Sequence, residues 1–129
     1  MPNLTDMTVK EALLADVSLD DRLNMAIEYL ESTISRLTSS EAKNILSTLN
    51  KQDRILALNN RHLYMAAYST IFNRRLKNII DNLAANEKAI KSATAELDKT
   101  KTSLDQFSKY LKAAAKFIDI IAKVLLLAV

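Results

Sequence analysis

At 129 residues the chain is long enough to close one hydrophobic core without metal or disulfide staples. Hydrophobic residues make up 49% and aromatics only 5%, Gly is absent and the one Pro is Pro2, so the turn and strand residues of a β-rich fold are missing. The lack of Cys excludes disulfides and thiolate metal sites, and a net charge of +3 is too small to point to nucleic acid.

The expected fold class is all-α, with residues 1–129 forming a single all-helical domain. The opening "MPNLTDMTVKEALLADV" is acidic and has neither a basic n-region nor an apolar h-region. The default expectation is a cytoplasmic protein, or one exported by a leaderless route. Charge is unevenly spread: residues 1 to 32 carry seven acids against Lys10 and Arg22, a balance of −5, and the remainder carries sixteen basic residues against eight acids, or +8. Such a chain can pair its own two ends, or pair with a neighbouring copy.

A short turn of helix is expected from Thr8 to Ala15. Leu23, Ile27, Leu30, Ile34 and Leu37 then follow a 4-3-4-3 spacing that puts all five on one stripe, which predicts a helix over residues 19–37. Thr38 followed three residues later by Glu41 has capping-box spacing, so a loop at Thr38 to Ser40 leads into a second helix, residues 41–58. With neither Gly nor Pro downstream, any further break falls to Asn, Asp or Ser. Asn50 and the pair Asn59–Asn60 are the candidates.

Beyond them, Leu76, Leu83, Ile90, Leu97, Leu104, Leu111, Ile118 and Leu125 recur every seven residues without a miss. With Leu76 at a, the d rank is mostly small or polar in its middle, which admits a close-packed partner helix. Unbroken register predicts one long helix over residues 61–128, although a break near 82–86 or 99–103 stays open. The expected architecture is an elongated, coiled-coil-like helical bundle, a short N-terminal helix hairpin packed on a long C-terminal heptad helix. The eight heptad residues are the expected interface for partner helices, in cis and in other copies.

Few residues here could carry reaction chemistry. His62 is the only histidine, and Asn59 stands where a helical di-iron site would need Glu. Glu28 with Glu31, and Asp20 with Asp21, read as the solvated face of the first long helix. No Gly-rich phosphate loop can exist. The chain is therefore expected not to be an enzyme, with no catalytic, cofactor-binding or metal-ligating residues and no cofactor. Arg54, Arg61, Tyr68 and Arg75 also recur every seven residues and form a charge-pairing stripe at g-type positions, with those acids as counterparts.

The C-terminal stretch "AAAKFIDIIAKVLLLAV" is apolar except for Lys116, Asp119 and Lys123. It is shorter than the ~20 residues of a bilayer span, and each charge costs roughly 2.5 to 3.5 kcal/mol near a bilayer centre. Phe117, Ile120, Ile121, Val124, Leu126 and Leu127 would each gain roughly 1.5 to 3 kcal/mol on full burial. Water is therefore no resting place for this face.

Three functions follow in order. The first is a non-enzymatic assembly or interaction protein that binds partner helices, as a homo-oligomer or with another helical protein. The second is a membrane-active anchor or pore-forming subunit that inserts its C-terminal amphipathic helix or lays it on a membrane surface. A nucleic-acid-associated protein using the Arg and Tyr stripe is the weakest.

Overall fold

The computed structural model describes residues 6–100 and 106–127. Among the described residues seven α-helices pack against each other: α1 (Val9–Leu14), α2 (Asp21–Leu37), α3 (Ser40–Leu46), α4 (Lys51–Ile71), α5 (Leu76–Ala85), α6 (Glu87–Thr100) and α7 (Phe107–Leu125). Among the described residues there is no strand, only a single antiparallel bridge between Thr8 and Arg75.

Side-chain caps set most helix starts. The Thr8 hydroxyl accepts from the Glu11 amide, which caps α1, and donates to the Glu11 carboxylate. Asp20 caps α2 and Asn50 caps α4. The third helix starts from Ser39, whose hydroxyl accepts from the Ala42 amide at 3.1 Å, and not from Thr38. Thr38 turns back instead, its hydroxyl donating to the Ile34 carbonyl at 2.8 Å. Two helix ends use left-handed residues that are not glycine, Asp16 at φ 56° and Leu126 at φ 55°. The Val17 amide thereby reaches the Ala12 carbonyl, and the Leu127 amide the Ala122 carbonyl, each at 2.9 Å.

The expected helix over residues 41–58 is two helices, broken at Asn50. Asn59 and Asn60 lie inside α4, where Asn60 is buried and donates to the Leu111 carbonyl at 2.9 Å. Nor is residues 61–128 one helix. The N-terminal segment wedges in after α4: Val9 and Lys10 amides donate to the Arg74 and Phe72 carbonyls, and the Leu76 amide donates to Met7. The orphan donors of one helix start thus meet the orphan acceptors of another helix end, which ends α4 without Gly or Pro. A second break falls at Asn86, whose side-chain amide donates to the Asn82 carbonyl at 2.8 Å while α6 restarts from its backbone. The third separates α6 from α7.

Cross-helix pairs give the direction of each element. Asp53 meets Ser108, Asn60 meets Leu111 and Tyr64 meets Ala114, so α4 and α7 run parallel. Arg22 meets Glu87 and Tyr29 meets Asp98, so α2 and α6 run parallel. Tyr29 against Phe117, with Arg36 over Tyr110, makes α2 antiparallel to α7. The result is a bundle in which α7 lies between α4 and α6 and also meets α2 and α5. Phe117, Ile118, Leu111 and Ala114 are fully buried, which puts the apolar C-terminal helix at the centre of the core. Among the described residues, no helix is long and apolar enough to cross a membrane.

Candidate functional site

The heptad residues Leu76, Leu83, Ile90, Leu97, Leu111, Ile118 and Leu125 are all at most 6% exposed, spread over three helices of one core. Leu104 lies outside the described residues. Ala93 and Ala114 from the small rank are buried as well, and the helix that comes close to α6 is α7 of the same chain. The C-terminal apolar set divides. Phe117, Ile121 and Val124 are buried, Ile120 and Leu127 are partly buried against the core, and Leu126 is 70% exposed.

The Arg and Tyr stripe is also split. Arg75 stands at the N-cap position of α5 without a side-chain capping bond, whereas Arg54, Arg61 and Tyr68 share α4. Tyr68 donates to Glu31 at 3.2 Å, so one member meets the acidic face of α2. Arg54, Arg61 and Arg75 form no ion pair among the described residues. Asp20 is engaged by Arg22 at 3.0 Å, whose guanidinium holds that carboxyl below its ordinary range. His62 is exposed, and among the described residues no group of three or more His, Cys, Asp or Glu converges where it could hold a metal.

Inside the bundle, α2, α4 and α7 join through an aromatic cluster. Phe117 sits 6.0 Å from the Tyr29 ring and 6.1 Å from Tyr64. Tyr64 donates to the Ala114 carbonyl at 2.9 Å, and burial pushes its hydroxyl well above the ordinary phenol range. Tyr29 donates to Asp98 at 2.7 Å; burial first, then that carboxylate, pushes it up to about 12. The Arg36 guanidinium lies 4.9 Å above the Tyr110 ring, a cation–π contact closing the outer edge. Its tyrosines and Phe117 pack on one another and Tyr64 and Tyr29 donate within the fold, so the cluster ties helices together, although the Arg36 Nε is buried with no hydrogen-bond acceptor among the described residues.

Two surfaces are less committed. The first is the outward face of α4, where Ile55, Leu58 and Met65 are 48%, 56% and 51% exposed. With His62 they follow a 3-4-3 spacing, a short coiled-coil seam with Ile55 and His62 at a, Leu58 and Met65 at d. Arg54, Arg61 and Tyr68 then fall at g, and Asn59 and Ala66 at e. The seam keeps the phase of Leu76, counted back in sevens, but Ser69 and His62 stand at a between Leu76 and Ile55, so the leucine recurrence does not reach it.

The second is a groove between the antiparallel helices α6 and α7, made of two adjoining cavities and continued along α7 by a third. One of about 200 Å³ runs from Thr100 and Lys109 to Glu96 and Lys116. A middle one of about 400 Å³ shares Glu96 and Lys116, and adds Ala89, Ala93, Asp119 and Ile120. A third of about 650 Å³ shares Asp119, runs along α7 past Lys123 to Leu126 and Leu127, and takes no residue from α6. Alanines on the floor keep it open, since a methyl group cannot fill the space between two helices. No protein-family model, curated protein or solved structure matches the chain.

Proposed function

We propose that the protein is a non-enzymatic interaction module that works by binding partner helices, with the outward seam of α4 as its contact surface. The observation that carries this reading is the 3-4-3 run of Ile55, Leu58, His62 and Met65, three of them large apolar side chains about half exposed on one helix face. Surface apolar residues scattered singly need no explanation, whereas a run in coiled-coil register is what a second helix packs on. The flanking charges restrict the partner. In antiparallel self-pairing g meets g, and Arg54 would face Arg61 of the second copy. In parallel self-pairing g meets e, and the arginines would face Asn59 and Ala66, which repel nothing.

Self-association through α4 is therefore parallel, and a foreign partner helix carries acids opposite Arg54 and Arg61. Leu58→Glu with Met65→Glu is the test. Both positions are exposed, so the fold stays intact while any seam-mediated dimer or complex drops to monomer mass. An unchanged oligomer, or a wild-type chain that is monomeric and binds no protein, would sink this reading. A peripheral membrane role for the C-terminal helix is a second reading, supported by Leu126 standing exposed beyond Lys123. Insertion of α7 would first have to unpack the core, so the form of it we put forward is surface attachment. Liposome co-sedimentation that Leu126→Glu abolishes is its expected signature.

A further inference from the structure

The groove between α6 and α7 is unlike the α4 seam: it is concave, and its rim carries four lysines against two acids, Glu96 and Asp119. Lys109, Lys112, Lys116 and Lys123 line it from α7, all exposed and none in an ion pair among the described residues. Of the two acids, Glu96 is held by Lys99 at 3.8 Å. From Lys109 to Leu125 the groove and its continuation follow seventeen residues of α7, about 24 Å or nearly five turns. The geometry points to a docking site for an amphipathic helix of about five turns from another protein, its apolar face on the alanine floor and its acidic flank along the α7 lysines.

The occupant is not a second copy of this chain. The α4 seam is the long exposed apolar face available, and its Arg54 and Arg61 would meet the lysine rim with like charge. The acidic alternative, α1 with exposed Leu13 and Leu14 beside Glu11 and Asp16, is six residues long and covers about 9 Å, little more than a third of the groove. A foreign helix meets both requirements. Lys109, Lys116 and Lys123 recur every seven residues, about 10.5 Å apart along α7, so acids at seven-residue spacing on the ligand meet all three together. Charge then sets partner choice and approach rate, while the floor supplies the contact area.

Two synthetic helical peptides of about five turns test this, with identical leucine faces and flanks of Glu in one and Lys in the other. Binding by fluorescence anisotropy is expected for the Glu peptide, at least tenfold tighter than for the Lys peptide and weakening as salt rises. Lys112→Glu with Lys116→Glu should invert that preference. Ala89→Trp, at an exposed groove position, should block both peptides while the circular-dichroism melt stays unchanged. The Leu58→Glu, Met65→Glu variant should bind the Glu peptide like wild type, which separates this site from the α4 surface. Equal binding of the two peptides, or binding that Ala89→Trp leaves intact, overturns the proposal. So does retention on anionic phospholipid vesicles, abolished by the lysine reversals, without binding of the Glu peptide.

Discussion

At the residue scale, the sequence is legible where one side chain acts locally and illegible where its partner is distant. Thr8, Asp20 and Asn50 cap helices because a short polar side chain next to a helix start has few better acceptor roles. Ser39 caps α3 one residue after the Thr38 that the spacing favours: both hydroxyls donate back to an α2 carbonyl, and Ser39 also accepts from the Ala42 amide. The tyrosines are the opposite case. Nothing local marks Tyr29, Tyr64, Tyr68 and Tyr110, yet burial raises all four above the ordinary value of 10.0. A phenol raised in the folded state keeps its proton where the unfolded chain has lost it. The resulting stability is fully present below pH 10 and is lost as pH climbs toward about 12, the value for Tyr29. Absorbance at the phenolate band should therefore show the native protein well under half titrated at pH 10, and the urea-unfolded chain half titrated. Tyr29→Phe should flatten the alkaline loss of stability by removing one such group.

Helices themselves were legible from periodicity, but their ends downstream of Leu37 were only partly so. A seven-residue recurrence from Leu76 to Leu97 reflects real continuity, because α6 restarts directly from α5 at Asn86. Its extension to Leu111 carries no such meaning: α6 and α7 each need an apolar residue about every two turns, and two buried helices can share a phase without sharing an axis. The end of α4 was invisible for a different reason, since the groups that terminate it come from Met7, Val9 and Lys10, more than sixty residues earlier. Asn60 misleads in the same way. It resembles a turn residue, and it serves as a staple between α4 and α7. Asn60→Ala should cost about 1 to 3 kcal/mol, because it removes a buried hydrogen bond and leaves a small void, and Tyr64→Phe about 1 kcal/mol for the hydroxyl alone. Urea unfolding with an unchanged denaturant slope checks both.

At the scale of the whole molecule, the question is which apolar heptads serve the chain itself and which are left for something else. Periodicity cannot separate them, because a helix stripe looks the same whether it covers a neighbour in cis or in trans. The fold separates them by position: Ile118 on α7 is fully buried between α4 and α6, and Leu58 on α4 is 56% exposed. The same substitution at the two sites should therefore give opposite outcomes. Ile118→Glu places a carboxylate in a low-dielectric core with no partner, a cost of several kcal/mol against a typical domain stability of about 5 to 15. That variant should lose its cooperative thermal transition. Leu58→Glu exchanges one solvated surface for another and should shift unfolding by about 0.5 kcal/mol or less. It should also leave the far-ultraviolet circular dichroism unchanged while removing what the α4 seam binds. If Leu58→Glu unfolds the protein as Ile118→Glu does, the α4 seam belongs to the core and the surface assigned to partner helices does not exist.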